Sequence, residues 1–156
     1  MSETTTTPDN IEFVTKNKSM EWKSENINDL AKALAKAQAE IKGAKSESKN
    51  PFYNSNYADL HTVIESCMPI LAKNDLSVVQ GHEYCTESNG FYVTTMLMHS
   101  SGQWIKSKVR LPLPKGANAQ HIGGVTTYGR RYGLSAMVGI AQYDDDGNSL
   151  VNKTNP

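Results

Sequence analysis

The order of hydrophobic patterns along this 156-residue chain predicts an α+β fold, with two amino-terminal helices, three strands and a final helix. Three observations carry that expectation. Apolar residues recur at helical spacing from Leu30 and again from Leu60. Between Leu76 and Leu113 the preference shifts to β-branched and alternating residues. A glycine-rich segment holding two adjacent arginines, Gly123 to Leu134, then has the character of a helix.

The elements follow in order. Residues 1–25, rich in Thr, Lys and Asn over the first twenty, bury too little apolar surface to offset the entropy of ordering and read as a flexible arm. Leu30, Leu34, Ala37 and Ile41 then form one stripe, with Lys32, Lys36 and Glu40 off it. The pattern predicts an amphipathic helix capped by Asn28 and stopped at Gly43. Lys42, Lys45 and Lys49 fall in a polar connector that ends in Asn50-Pro51-Phe52-Tyr53-Asn54-Ser55-Asn56-Tyr57. A second helix starts near Ala58 or Asp59 on the face of Leu60, Val63, Ile64, Cys67, Ile70 and Leu71, and Pro69 should kink or restart it. Strands are expected over 76–80, 91–99 and 103–113, the last two joined as an antiparallel hairpin by Ser100-Ser101-Gly102. Lys115 to Gln120 lead into the last helix. The whole makes one domain over 26–148 with a flexible tail over 149–156.

A formal net charge of zero hides a segregation along the chain. Residues 1–87 carry nine Lys and thirteen Asp or Glu, a net of −4. Residues 88–143 contain no acid but hold Lys106, Lys108, Arg110, Lys115, Arg130 and Arg131, a net of +6; residues 144–156 carry −2. A polyanion senses the local field of a surface rather than the total, so nucleic acid is the partner to test. Cys67 and Cys85 are too far apart for a CxxC metal or redox motif and read as reduced structural thiols. The sequence offers neither a leader nor an apolar run long enough to span a bilayer, which predicts a cytoplasmic protein.

Candidate contacts follow from spacing. Trp104, Lys106, Lys108 and Arg110 alternate with Ile105, Ser107, Val109 and Leu111, so a strand places the three cations on one face. Successive cations then stand about 7 Å apart, suited to consecutive phosphates of an extended strand; a solvated outer sheet face has the same pattern. Arg130 and Arg131 lie between Tyr128 and Tyr132, and adjacent helical residues point about 100° apart, so the two need not share a role. Intramolecular pairing with acids of the amino-terminal half is the other reading of these arginines. Gly129 and Gly133 each cost on the order of 1 kcal/mol relative to Ala in a helix, which implies close approach to a sheet or to phosphate. His121 precedes the glycine-rich turn and reads either as a phosphate contact or as a surface residue. Asp144-Asp145-Asp146 invites a divalent metal, but Gln142 and Lys153 would fill the first and twelfth positions of a calcium loop, so no metal site is assigned. No nucleophile with a recognisable base, phosphate loop or HExxH is present; no catalytic residue, cofactor or ATP site is expected.

The run Gln120-His121-Ile122-Gly123-Gly124-Val125-Thr126-Thr127-Tyr128-Gly129-Arg130-Arg131-Tyr132-Gly133-Leu134, with Gly139-Ile140 and the Asp-Asp-Asp-Gly-Asn run, closely resembles the ERF (essential recombination function) family of phage single-strand annealing proteins. Asn50-Pro51-Phe52, Asn56-Tyr57-Ala58-Asp59-Leu60 and Leu71-Ala72-Lys73-Asn74-Asp75-Leu76 fit the same pattern, and the resemblance spans roughly residues 28–150. Gly129 departs from it, standing where the family often has Ala.

The resemblance implies a hairpin and a third strand packed on a long helix, as in ring-forming strand-annealing proteins, assembled into homo-oligomeric rings or helical filaments. It implies an ATP-independent protein, not an enzyme, that binds single-stranded DNA in a basic groove, with a host single-strand binding protein as a further partner and the bacterial cytoplasm as its place. Carried over, Arg130, Arg131, Lys106, Lys108 and Arg110 lead the DNA-binding candidates, followed by Lys115, Tyr128, Tyr132, Lys45, Lys49, Tyr53 and Tyr57. The competing expectations are a metal-dependent nuclease using Asp144, Asp145 and Asp146, and a protein that coats single strands passively.

Overall fold

A computed structural model describes residues 21–43, 58–88 and 90–141. Its elements are α1 (Asn28–Glu40), α2 (Leu60–Lys73), β1 (Leu76–Cys85), β2 (Gly90–His99), β3 (Trp104–Leu111) and α3 (Ala119–Val138). The strands form one antiparallel sheet in the order β1-β2-β3. The α+β class and the element order are as the sequence predicts.

Period-two geometry divides the sheet into two faces. The inner face is buried through Phe91, Val93, Thr95 and Leu97 of β2, with Leu76 and Leu111 beside them. Two glycines let α3 lie close against it. A Cβ on Gly129 would stand 2.6 Å from both Leu111 Cδ1 and Val93 Cγ2, and one on Gly133 would run into Thr95 Oγ1. The close approach implied by these glycines is therefore to the sheet. The main core joins Leu30 and Ala37 of α1, Val63, Cys67 and Leu71 of α2, Leu97, and Leu134 and Val138 of α3. A smaller cluster of Phe91, Val93 and Leu111 lies under Val125, in the first half of α3.

Several boundaries depart from the sequence expectation. β1 continues to Cys85, five residues past its predicted end, because Gly81 to Cys85 pair in register with Gly90 to Thr94. Asn28 is the first residue of α1 rather than its cap. The Ile27 side chain has no oxygen to offer, and the free amides are met from elsewhere: Asn26 Oδ1 accepts from Asn28 N (2.9 Å), while Gln103 Oε1 accepts from Asp29 N (2.9 Å) and Leu30 N (3.0 Å). The helix ends at Glu40, before Gly43. α2 begins under an Asp59 cap, whose side chain accepts from Thr62 N at 2.8 Å, and it runs continuously through Pro69. The hairpin turn is as expected, with Gly102 at φ 87°. Trp22 to Ser24, inside the arm predicted over 1–25, are held on the edge of β3. Lys106 N donates to the Trp22 carbonyl (2.8 Å), Ser24 N to the Trp104 carbonyl (2.9 Å), and Lys23 bridges Ile105.

Candidate nucleic-acid interface

The outer face of the sheet carries the cationic row. Strand alternation turns Val109 and Leu111 toward the apolar cluster around Phe91 and Val93, which leaves Trp104, Lys106, Lys108 and Arg110 on the opposite side. The register sets Met96 beside Lys106, Thr94 beside Lys108 and Tyr92 beside Arg110. Aromatic rings interleave with the cations: Lys106 Nζ stands 5.1 Å from the Trp104 ring centre and Lys108 Nζ 5.4 Å from that of Tyr92. Ammonium over an aromatic face is a favourable contact that holds each flexible cation near one position. Arg110 Nη2 donates to the Ser88 carbonyl at 3.0 Å, which orients its guanidinium.

The acid-free block is not free of acids in space. Glu83 of β1 reaches past Tyr92 to form an ion pair with Lys108. Lys106, Arg110, Lys115 and Arg130 make no ion pair among the described residues. The face thus combines an unpaired cation at each end with a paired one between them.

The two arginines of α3 part company. Arg130 is half-buried: its Nε donates to Gln80 Oε1 (3.4 Å), and Gln80 Nε2 donates in turn to the Arg130 carbonyl (2.9 Å) and Thr95 Oγ1 (2.8 Å). Arg131 is only 6% exposed. Its Nη1 donates to the Ala58 carbonyl (3.4 Å), and its guanidinium carbon lies 5.2 Å from the Tyr128 ring centre and 5.1 Å from that of Tyr132. Those two rings contact each other, 4.3 Å between centres. The Thr62 amide, the Thr62 hydroxyl and, more weakly, the charges of His61 and Arg131 hold the Asp59 carboxyl below its usual value. Arg131 therefore braces α3 against the residue before α2, through a carbonyl and two rings, and its burial removes it from any surface the single chain offers to phosphate. Tyr132 is half-buried with it, and Tyr128 is half-exposed.

Arg130 sits on the α3 side of the sheet, with the sheet between it and Lys106, Lys108 and Arg110. One chain does not gather all its predicted cations into one patch. Lys115 is exposed in the β3–α3 loop and lines a groove of about 690 Å³ with Tyr84, Phe91, Leu113 and Ile122. His121 closes a capping box at the start of α3, its Nδ1 2.7 Å from Asn118 Oδ1. Lys45, Lys49, Tyr53, Tyr57 and Asp144 to Asp146 lie outside the described residues, among which no cluster of three potential metal ligands occurs. Sequence reasoning missed Trp22, Tyr92 and Glu83; of these, only Tyr92, alternating with the buried Phe91 and Val93, gave a signal of its position.

The ERF superfamily pattern matches residues 30–155 of this chain. The chain belongs to the ERF superfamily. Comparison with curated proteins and with solved structures gave no match. The segment matched in this ERF protein takes in all three helices but for the first two residues of α1, the whole sheet and both arginines, whereas Trp22 to Ser24 precede it. No helix among the described residues of the ERF chain is long and apolar enough to cross a membrane.

Proposed function

We propose that this ERF protein binds single-stranded DNA along the outer face of β3 and promotes pairing of complementary strands without ATP, as a phage-type recombinase acting as a homo-oligomer. The observation that carries the reading is the interleaving of Trp104, Lys106, Lys108 and Arg110 of β3 with Tyr92 of β2 on the outer face of the sheet, in a chain of that family. Cations at about 7 Å spacing match an extended sugar-phosphate chain, and such contacts carry no sequence information. Annealing makes and breaks no covalent bond. It needs a surface that holds one strand extended while its bases remain open to a second, and the free energy comes from the base pairs formed. Repeating the face around an oligomer multiplies modest contacts through effective concentration. Arg130, on the other side of the sheet, is a separate contact for DNA or for a neighbouring copy. Arg131 acts through the position it gives α3.

The test is the pairing rate of two complementary dye-labelled strands, with and without protein, in chelator and without nucleotide. Acceleration supports annealing. Binding with slowed pairing would establish a coating protein instead, and metal-dependent cleavage that chelator abolishes would establish a nuclease.

A further inference from the structure

We propose that Trp22 is a base-stacking residue: the pocket it forms with Thr94, Lys106, Ser107 and Lys108 receives one unstacked nucleobase of a single strand whose phosphates follow β3. The inference rests on the strand-binding reading above and adds a residue that lies before the family-matched segment.

Trp22 is 60% exposed, the most exposed large apolar side chain described. It is nonetheless held in place. Its carbonyl accepts from Lys106 N (2.8 Å), and two residues on, Ser24 is bound to Trp104 through both backbone and hydroxyl, with Trp104 N donating to Ser24 Oγ at 3.0 Å. Pairing fixes the backbone that carries the ring while the ring stays open to solvent, so ordering this segment costs nothing further on binding. Open space adjoins it on two sides. One cavity, of about 440 Å³, is walled by Trp22, Thr94, Lys106, Ser107 and Lys108; a second, of about 300 Å³, by Trp22, Ile105, Lys106, Ser107, Ala136 and Met137. The first offers an aromatic surface for the base, two hydroxyls for its edge, the unpaired ammonium of Lys106 for a flanking phosphate and that of Lys108, which would exchange Glu83 for another. Lys23, 5.9 Å from the Trp22 ring centre, adds a third cation at the same edge. Stacking uses the π-face common to all bases, so one anchored base per subunit preserves sequence tolerance and leaves neighbouring bases exposed for pairing.

The chain has two tryptophans, so Trp104→Phe leaves Trp22 as the only one. That variant is titrated with end-labelled oligothymidylate, reading anisotropy for binding and tryptophan emission for stacking, at a protein concentration where the oligomer does not change. Wild type and Trp22→Ala, both keeping Trp104, are titrated with the same strand and with an abasic strand of equal length. Emission should fall in step with binding. Trp22→Ala should weaken oligothymidylate binding by about 5- to 150-fold per site, the stacking range taken at tenfold per 1.4 kcal/mol, and Trp22→Phe should recover most of it. The abasic strand should bind wild type and Trp22→Ala alike. Binding with unchanged Trp22 emission, or wild-type affinity in Trp22→Ala, would overturn the stacking role while leaving the strand-binding reading intact. Absence of binding by wild type would overturn that reading and this inference together.

Discussion

Replacing the outer-face cations singly with Gln should change the salt dependence of DNA binding by amounts the structure ranks. Each phosphate neutralised on a single strand contributes about 0.7 to the slope of log affinity against log salt, so three cations give about 2.1 per subunit. Lys108 is already neutralised by Glu83 and exchanges one partner for another, which puts the wild-type slope between about 1.4 and 2.1. At the upper bound, raising salt from 50 to 200 mM should weaken binding about 18-fold per site. Lys106→Gln or Arg110→Gln should each remove about 0.7 from the slope, and Lys108→Gln less. Glu83→Gln releases Lys108 and should strengthen binding at low salt while steepening the slope. The assay is anisotropy of a labelled oligothymidylate short enough to lie along one β3, over a salt series. A triple Gln variant that kept the wild-type slope, or Lys108→Gln reducing it more than Lys106→Gln does, would refute the placement of the strand.

Three further outcomes follow from the fold. Gly129→Ala gains about 1 kcal/mol of helix propensity but drives a methyl to 2.6 Å from Leu111 and Val93, an overpacking that costs about 1–3 kcal/mol; urea unfolding should show a net loss, and a more stable variant would contradict the packing. Arg131→Ala should lower stability by about 1–3 kcal/mol, since the Ala58 carbonyl loses its donor and two tyrosines lose a packing partner, whereas Arg130→Ala, which removes one half-buried bond to Gln80, should cost less stability than Arg131→Ala and act on DNA affinity. The Thr62 amide holds the Asp59 carboxyl below its ordinary 3.8 when folded, so its contribution to stability is complete above that value and is lost as pH falls through the folded value; Asp59→Asn should flatten acid unfolding in that range, and an unchanged profile would remove Asp59 from it.

Much of this organisation was legible because local rules and tertiary packing agree. The stripe from Leu60 to Leu71 forms α2, and the alternation from Trp104 to Leu111 forms β3 with its cations on one side. The costly glycines of the last helix marked a close approach that proved to be to Val93, Leu111 and Thr95. What failed depended on partners distant in sequence. The Asp29 and Leu30 amides of α1 are met by Gln103, more than seventy residues away, so no local cap motif announces that bond. Glu83 lies outside the acid-free block in sequence and inside it in space, through a register that no single strand encodes. Gly81 to Tyr84 look weak as a strand in isolation and are recruited by pairing with β2. Arg131 gave no sign of burial, because an arginine beside tyrosines reads equally as a phosphate ligand and as an internal brace. Trp22 lay in a segment whose composition argued for freedom, and backbone pairing to β3 overrode it.

The measurement that bears most directly on the central claim is the rate of complementary-strand pairing by Lys106→Gln/Lys108→Gln/Arg110→Gln beside wild type, at matched oligomeric state and without nucleotide. Loss of acceleration in a variant that remains folded is the predicted result. Acceleration at the wild-type rate would place the strand elsewhere on the molecule and contradict the account.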